Sequence, residues 1–359
     1  FTIDFTGFNG EFPENADGVE EAMTIYNFQD ITADVNTGTN TPNDGMEDTA
    51  NPYSWGRIDG NGTNDDPVRI NVVMQSGTSA GDSDYGVAKG GIFSSGVQQY
   101  VLTGFVDKNG YDVPQSQASA ATIVVCDHTE DLEVLGLQNN RNAKVTFEQV
   151  NWTTDILMEG DGFADSSEVK NFGNPDLSQV GYVVANFFEP GINASVRITN
   201  QGTELGQNED ALDGFDPDGE RKLEVAGITV NNADRLLINV EDGDAVINDV
   251  TGEDVERVIV NGPEDVELVI AGTENPSAAM MSGLDSSDLK SIDGSGVGGE
   301  FTLAFTENTD LSGVDLTGVD KIVLRDDGTV GATTVTLTLN GDQVEEFQGK
   351  IVNETSTDT

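Results

Sequence analysis

The chain has 359 residues, 65 acidic and 16 basic, for a formal net charge of −49. A surface this negative repels nucleic acid and anionic membranes, and no apolar run reaches the roughly 18–20 residues that span a bilayer. The single cysteine, Cys126, rules out an intrachain disulfide; the acidity points to a salty habitat, to bound calcium, or to both.

Phe-Thr-Ile-Asp-Phe-Thr alternates from the first residue and places Phe1, Ile3 and Phe5 on one face. Two readings fit: the first strand of its own sheet, or a strand donated to a neighbouring subunit. A start at Phe1 without Met is read as a processed N-terminus or a fragment, most simply of a secreted protein. Residues 15–28 are the best helix candidate, with Val19, Ala22, Met23 and Tyr26 on one side. Residues 35–67, rich in Asn, Gly, Thr, Asp and Pro, read as loop. Strands are predicted at 69–74 and 98–106, with a domain boundary at 114–120.

From residue 121 the β pattern takes over, with strands predicted at 121–126, 132–137, 143–150, 155–158, 181–188 and 194–199. Residues 200–221 read as an acidic, Gly-rich loop and a possible sub-boundary. A short phrase then recurs, an acidic cue followed by a β-branched strand, at 234–240, 253–260, 264–270 and 318–324, with an earlier copy at 130–137. The copies are unevenly spaced. The expected fold is all-β, built of repeated β-layers or an irregular β-solenoid. The loop-rich N-terminal β domain (1–120) carries one short helix, and the strand-repeat domain spans 121–359.

Three acidic loops carry oxygen ligands at the spacing that suits a hard cation. They hold Asp59, Asn61, Asp65 and Asp66; Asp107, Asn109 and Asp112; and Asp213, Asp216, Asp218 and Glu220. Each reads either as a calcium site or as a plain turn. Asp242-Gly243-Asp244, between two strands, reads as a calcium turn or a hairpin turn, with the hairpin favoured. His128, the only histidine, follows Cys126 at a spacing that gives neither a nucleophile–base pair nor a zinc site. The Gly294–Gly299 run lacks the Lys-Ser/Thr of a phosphate loop and precedes a strand. The chain is therefore read as non-enzymatic. Sequons stand at Asn61, Asn151, Asn193 and Asn353.

The stretches 284–305 (with Ile292-Asp-Gly-Ser-Gly) and 309–324 (with Asp310-Leu-Ser-Gly) resemble the β-strand repeats of bacterial surface-layer proteins and related calcium-binding secreted proteins. The resemblance covers about residues 222–345; the Gly-Gly-x-Gly-x-Asp nonapeptide of RTX repeats is missing. It implies an extracellular or cell-surface structural protein that assembles with copies of itself, as a lattice or filament stabilised by Ca2+, with cell-surface polysaccharide as a further partner. In this reading Phe1, Ile3 and Phe5 contribute to assembly. Two alternatives stand beside it: a carbohydrate-binding or carbohydrate-active solenoid or adhesin, which needs exposed aromatics on successive turns, and a viral or phage surface protein.

Overall fold

Short segments rich in Val, Ile, Leu and Thr, parted by Gly, Asn and Asp, build nearly all the regular structure in the computed structural model of this chain. The structure describes residues 2–4, 23–28, 57–59, 69–75, 87–106, 119–125, 129, 131–160, 177–200, 222–252, 254–270, 289–306, 308–325 and 335–354. The chain forms two compact units, one of Phe1–Leu157 with Gly181–Phe188 and one of Met158–Val180 with Glu189–Thr359.

The first unit contains β1 (Thr2–Asp4), β2 (Met23–Phe28), β3 (Arg57–Asp59), β4 (Arg69–Gln75), β5 (Val87–Ser95), β6 (Gln99–Val106), β7 (Ser119–Val125), β8 (Val134–Gln138) and β9 (Ala143–Val150). The unit boundaries fall within β10 (Asp155–Gly160) and β11 (Leu177–Phe187). Odd strands pair in the order β1-β3-β5-β7-β9-β11 and even strands in the order β2-β4-β6-β8. The pairs are parallel, as in Ala121↔Val145 and Tyr100↔Leu135. Parallel neighbours need a crossover. Here a strand of the other sheet serves as that crossover, so each turn of chain lays one strand in each sheet. This is an all-β, solenoid-like plan.

The second unit repeats it. Its strands are β12 (Ile192–Asn200), β13 (Lys222–Asn231), β14 (Ala233–Val240), β15 (Asp244–Ile247), β16 (Val250–Thr251), β17 (Arg257–Gly262), β18 (Val266–Ile270), β19 (Ser291–Val297) and β20 (Phe301–Phe305). Then come β21 (Thr309–Asp310), β22 (Asp315–Thr317), β23 (Lys321–Arg325), β24 (Leu337–Thr338), the helix α1 (Gly341–Glu346) and β25 (Ile351–Glu354). One sheet runs β13-β15-β18-β20-β23-β25, the other β12-β14-β17-β19-β22, and β21 pairs with β24. Register holds although turn length varies. Leu236 pairs with Val258, Val258 with Ile292, and Ile292 with Leu316. Extra residues accumulate in the connections, which is why the repeat spacing looked irregular.

Register stacks like side chains into columns. Val225, Ile247, Leu268, Leu303 and Ile322 occupy one row through five strands, and each is fully buried. Each such side chain contributes about 1.5–3 kcal/mol by leaving water. Polar residues form ladders too. Asn261 Nδ2 donates to Asn239 Oδ1 at 2.8 Å, and the buried Thr229 and Thr251 hydroxyls meet at 2.5 Å. Corners use left-handed asparagines: Asn139 (φ 53°) and Asn140 (φ 52°) turn the chain after β8, and Asn232 (φ 66°) turns it after β13. Asparagine tolerates this region because its side chain bonds locally; Asn140 Nδ2 donates to Gln138 O at 2.7 Å.

The structure corrects three expectations. Met23–Phe28, inside the expected helix, is a strand paired in parallel with β4; its Thr, Ile, Tyr and Phe favour a pleated surface, and the pairing outweighs a helical periodicity of only four residues. Of that helix candidate, residues 15–22 lie outside the described residues. Arg57–Asp59, inside the expected loop, is a strand between β1 and β5. Asp242-Gly243-Asp244 is no hairpin: β14 and β15 belong to different sheets, and Gly243 (φ 62°) turns an arc from one to the other.

Candidate functional site

The acidic cue has a structural use at Asp131, Asp265 and Asp320. At a strand entry, backbone N–H groups precede the ladder and need an acceptor. Asp131 Oδ2 accepts from Gly96 N at 2.8 Å, across the pair β6–β8. Asp244 Oδ1 accepts from Asp265 N at 3.0 Å, and Asp265 Oδ1 from Glu300 N at 2.5 Å, so the caps run from rung to rung. Asp320 Oδ2 accepts from Phe301 N at 3.0 Å.

The Asp-x-Ser-Gly phrase is also a turn device. Asp293 Oδ1 accepts from Ser295 N, and Asp310 Oδ1 from Ser312 N, each at 2.9 Å. The Ser312 backbone N–H, and after it the Ser312 hydroxyl, hold the Asp310 carboxyl below its usual 3.8. The cap is complete above the unfolded value and is lost as pH falls through the lowered folded one. In an NMR titration Asp310 is expected to titrate below 3.8, and Ser312→Ala to return it only part of the way, because the backbone donor remains.

Of the predicted cation ligands, Asp59 alone is among the described residues. Asp59 closes β3. Asn61, Asp65, Asp66, Asp107, Asn109, Asp112, Asp213, Asp216, Asp218 and Glu220 lie outside the described residues, as do Cys126 and His128. Among the described residues, no three His, Cys, Asp or Glu side chains are grouped to hold a metal ion. Asn151, Asn193 and Asn353 are exposed; Asn61 lies outside the described residues.

The last rung of the second unit is different from those before it. Ile351 pairs with Ile322, at the end of the buried column, yet is 41 % exposed. On the other face Val269, Ala304 and Val323 share a row and are buried, while Val352, next in that row, is 38 % exposed. β25 ends its sheet, and no described strand pairs on its far side. It is nevertheless well held. Arg325 on β23 binds Glu267 on β18 through two hydrogen bonds and Glu354 on β25 at 3.0 Å. The Glu267 hydrogen bond, and secondarily that to Glu354, raise the Arg325 guanidinium above its ordinary value.

Helix α1 closes the neighbouring part of this unit. Asn340 Oδ1 caps Gln343 N, and Gln343 Oε1 accepts from Asn340 N. Gln343 Nε2, buried, donates to Leu311 O at 2.9 Å and Val314 O at 2.8 Å, and Phe347 beyond the helix is fully buried. The Asn340-x-x-Gln343 pattern is a capping box. That signal was present in the sequence, and the sequence reading passed over it. At the other sheet end, in the first unit, β1 pairs in parallel with β3 of the same chain (Ile3↔Ile58) and carries no further described strand. Phe1 and Phe5 lie outside the described residues.

A second surface lies in the first unit. Gln149 sits in the left-handed region (φ 60°), where a residue with a Cβ costs about 1–2 kcal/mol. It forms a bulge: Glu148 faces Asn186, but Val150 faces Phe187. Phe188 N then donates to Val150 O at 2.9 Å, which brings Phe188 to the corner that carries Trp152. Both rings are exposed, Trp152 by 58 % and Phe188 by 61 %, whereas Phe187 is buried. Gln149 Oε1 is buried without a hydrogen-bond partner. In the sequence, the consecutive Phe187-Phe188 pair was the signal for a second exposed ring at this corner.

No protein-family model matches this chain, and no curated protein or solved structure matches it.

Proposed function

We propose that this protein is a structural protein that assembles with copies of itself, as a surface lattice or filament outside the cell. The observation that carries the reading is the unfinished rung at β25. Its two apolar rows are continuous with buried ones, no described strand pairs with its outer edge, and charged contacts hold it in the shape of a template. An exposed apolar edge strand recruits another strand, and a solenoid whose end is not polar needs a cover. The proposed cover is a parallel strand of a second copy. The candidate is β1 with Phe1, Ile3 and Phe5, which meets β25 head to tail; such a contact does not close on itself and builds open assemblies. Ca2+ bound by the acidic loops is proposed to reduce repulsion between copies of a chain carrying −49.

Light scattering and electron microscopy test this reading, with calcium and with chelator. The intact chain is expected to form large ordered species. Ile351→Asp with Val352→Asp is expected to leave a monomer whose melting midpoint moves by no more than about 4 °C. A chain that stays monomeric across calcium and salt conditions refutes self-assembly. Assembly that survives removal of residues 1–7 while the β25 variant blocks it refutes β1 as the partner strand and leaves β25 as the interface.

A further inference from the structure

We propose that the corner carrying Trp152 and Phe188 is a binding site for a neutral polysaccharide. This inference does not depend on self-assembly. Two large rings stand in solvent just past the ends of adjacent paired strands, Trp152 beyond β9 and Phe188 beyond β11; paired strands lie about 4.8 Å apart in a sheet. Phe187, the last residue of β11, is buried and Phe188 after it is exposed, and the Gln149 bulge sets the register that joins Phe188 to the Val150 carbonyl. The corner is therefore constructed, at the expense of a strained backbone, and is not a single stray side chain. Strain of this kind gathers at ligand contacts.

The chemistry favours a sugar. A pyranose ring has one face of C–H groups that stacks on an aromatic ring, and an equatorial rim of hydroxyls. The corner supplies both complements: the indole and phenyl faces, and beside Trp152 the exposed polar residues Asn151 and Thr153. A protein partner would need a wider apolar centre than two exposed rings. The net charge of −49 disfavours polyanionic glycans, which leaves neutral ones. Successive sugars along one chain repeat the amphipathic face, so two rings side by side bind a polymer better than a monosaccharide.

Native gels cast with hydroxyethylcellulose, laminarin, galactomannan or xylan test the site on the full chain. At least one polysaccharide is expected to retard the protein. Trp152→Ala and Phe188→Ala should each weaken retardation at least tenfold in apparent dissociation constant, with the melting midpoint unchanged, and Trp152→Phe should restore most of it. Loss in the alanine variants with rescue by phenylalanine supports the site. The proposal is overturned if none of the four retards the protein, or if the alanine variants are retarded as strongly as the parent. It is equally overturned if those variants lose self-assembly while keeping retardation, because the corner is then a contact between copies.

Discussion

Phe301→Ala is expected to destabilise the second unit by about 3–5 kcal/mol, the range for emptying a phenylalanine site that cannot collapse. Phe301 is fully buried on β20, between Val266 on β18 and the strand entry that Asp320 caps. Its ring also lies against Gly294 of β19: a Cβ at position 294 would fall within the space of the Phe301 ring. Gly294→Ala is therefore expected to cost about 1–3 kcal/mol through overpacking. The two sites are coupled. In the double variant Gly294→Ala, Phe301→Leu the smaller side chain makes room for the new methyl group, so the combined loss should fall short of the sum by at least about 0.5 kcal/mol. Urea unfolding of the parent, the single variants Gly294→Ala and Phe301→Leu, and the double variant measures this, read as midpoint shifts at constant slope. Strict additivity would show that the ring and Gly294 do not share space.

Gln343→Leu is expected to cost about 1–3 kcal/mol, because it takes the Nε2 donor from Val314 O in a buried site and leaves Leu311 O only the Val314 N–H. It also removes the side-chain half of the capping box on α1. Gln343→Glu gives a sharper test. An ionised carboxylate cannot donate to those carbonyls, whereas a protonated one donates once. Burial beside two carbonyl oxygens raises the folded pKa of the introduced carboxyl above its unfolded value. Its contribution is then fully present below the unfolded value, near pH 4, and is lost as pH rises through the folded one. Relative to the parent protein, the variant should be weakest at pH 7 and recover toward pH 4. A penalty independent of pH would mean that the Nε2 bonds do not hold the helix.

The repeated phrase and its alternation identified the β-scaffold because period-two patterning is local: Leu236, Ile238 and Val240 show their shared face in sequence and are buried together. The predicted strand at 143–150 matches β9 for the same reason. The cue aspartates were read as acidic punctuation, and their role as caps was hidden, because Asp265 and Glu300 are 35 positions apart and meet only when two rungs stack. The α1 helix was legible through Asn340 and Gln343, since a capping box is completed within four residues.

By itself the sequence determined what short-range chemistry can determine: an all-β chain, the approximate positions of the strands between residues 121 and 200, and a formal charge of −49. Tertiary structure decided which strands are neighbours. That choice converts Asp242-Gly243-Asp244 from a hairpin into an arc and Met23–Phe28 from a helical pattern into a strand. It also places Phe188 at the corner of Trp152 and leaves Ile351 at the uncovered end of a buried column. Each of these depends on register between residues far apart in the chain. Burial of stacked columns sets that register, and a local pattern carries no record of it.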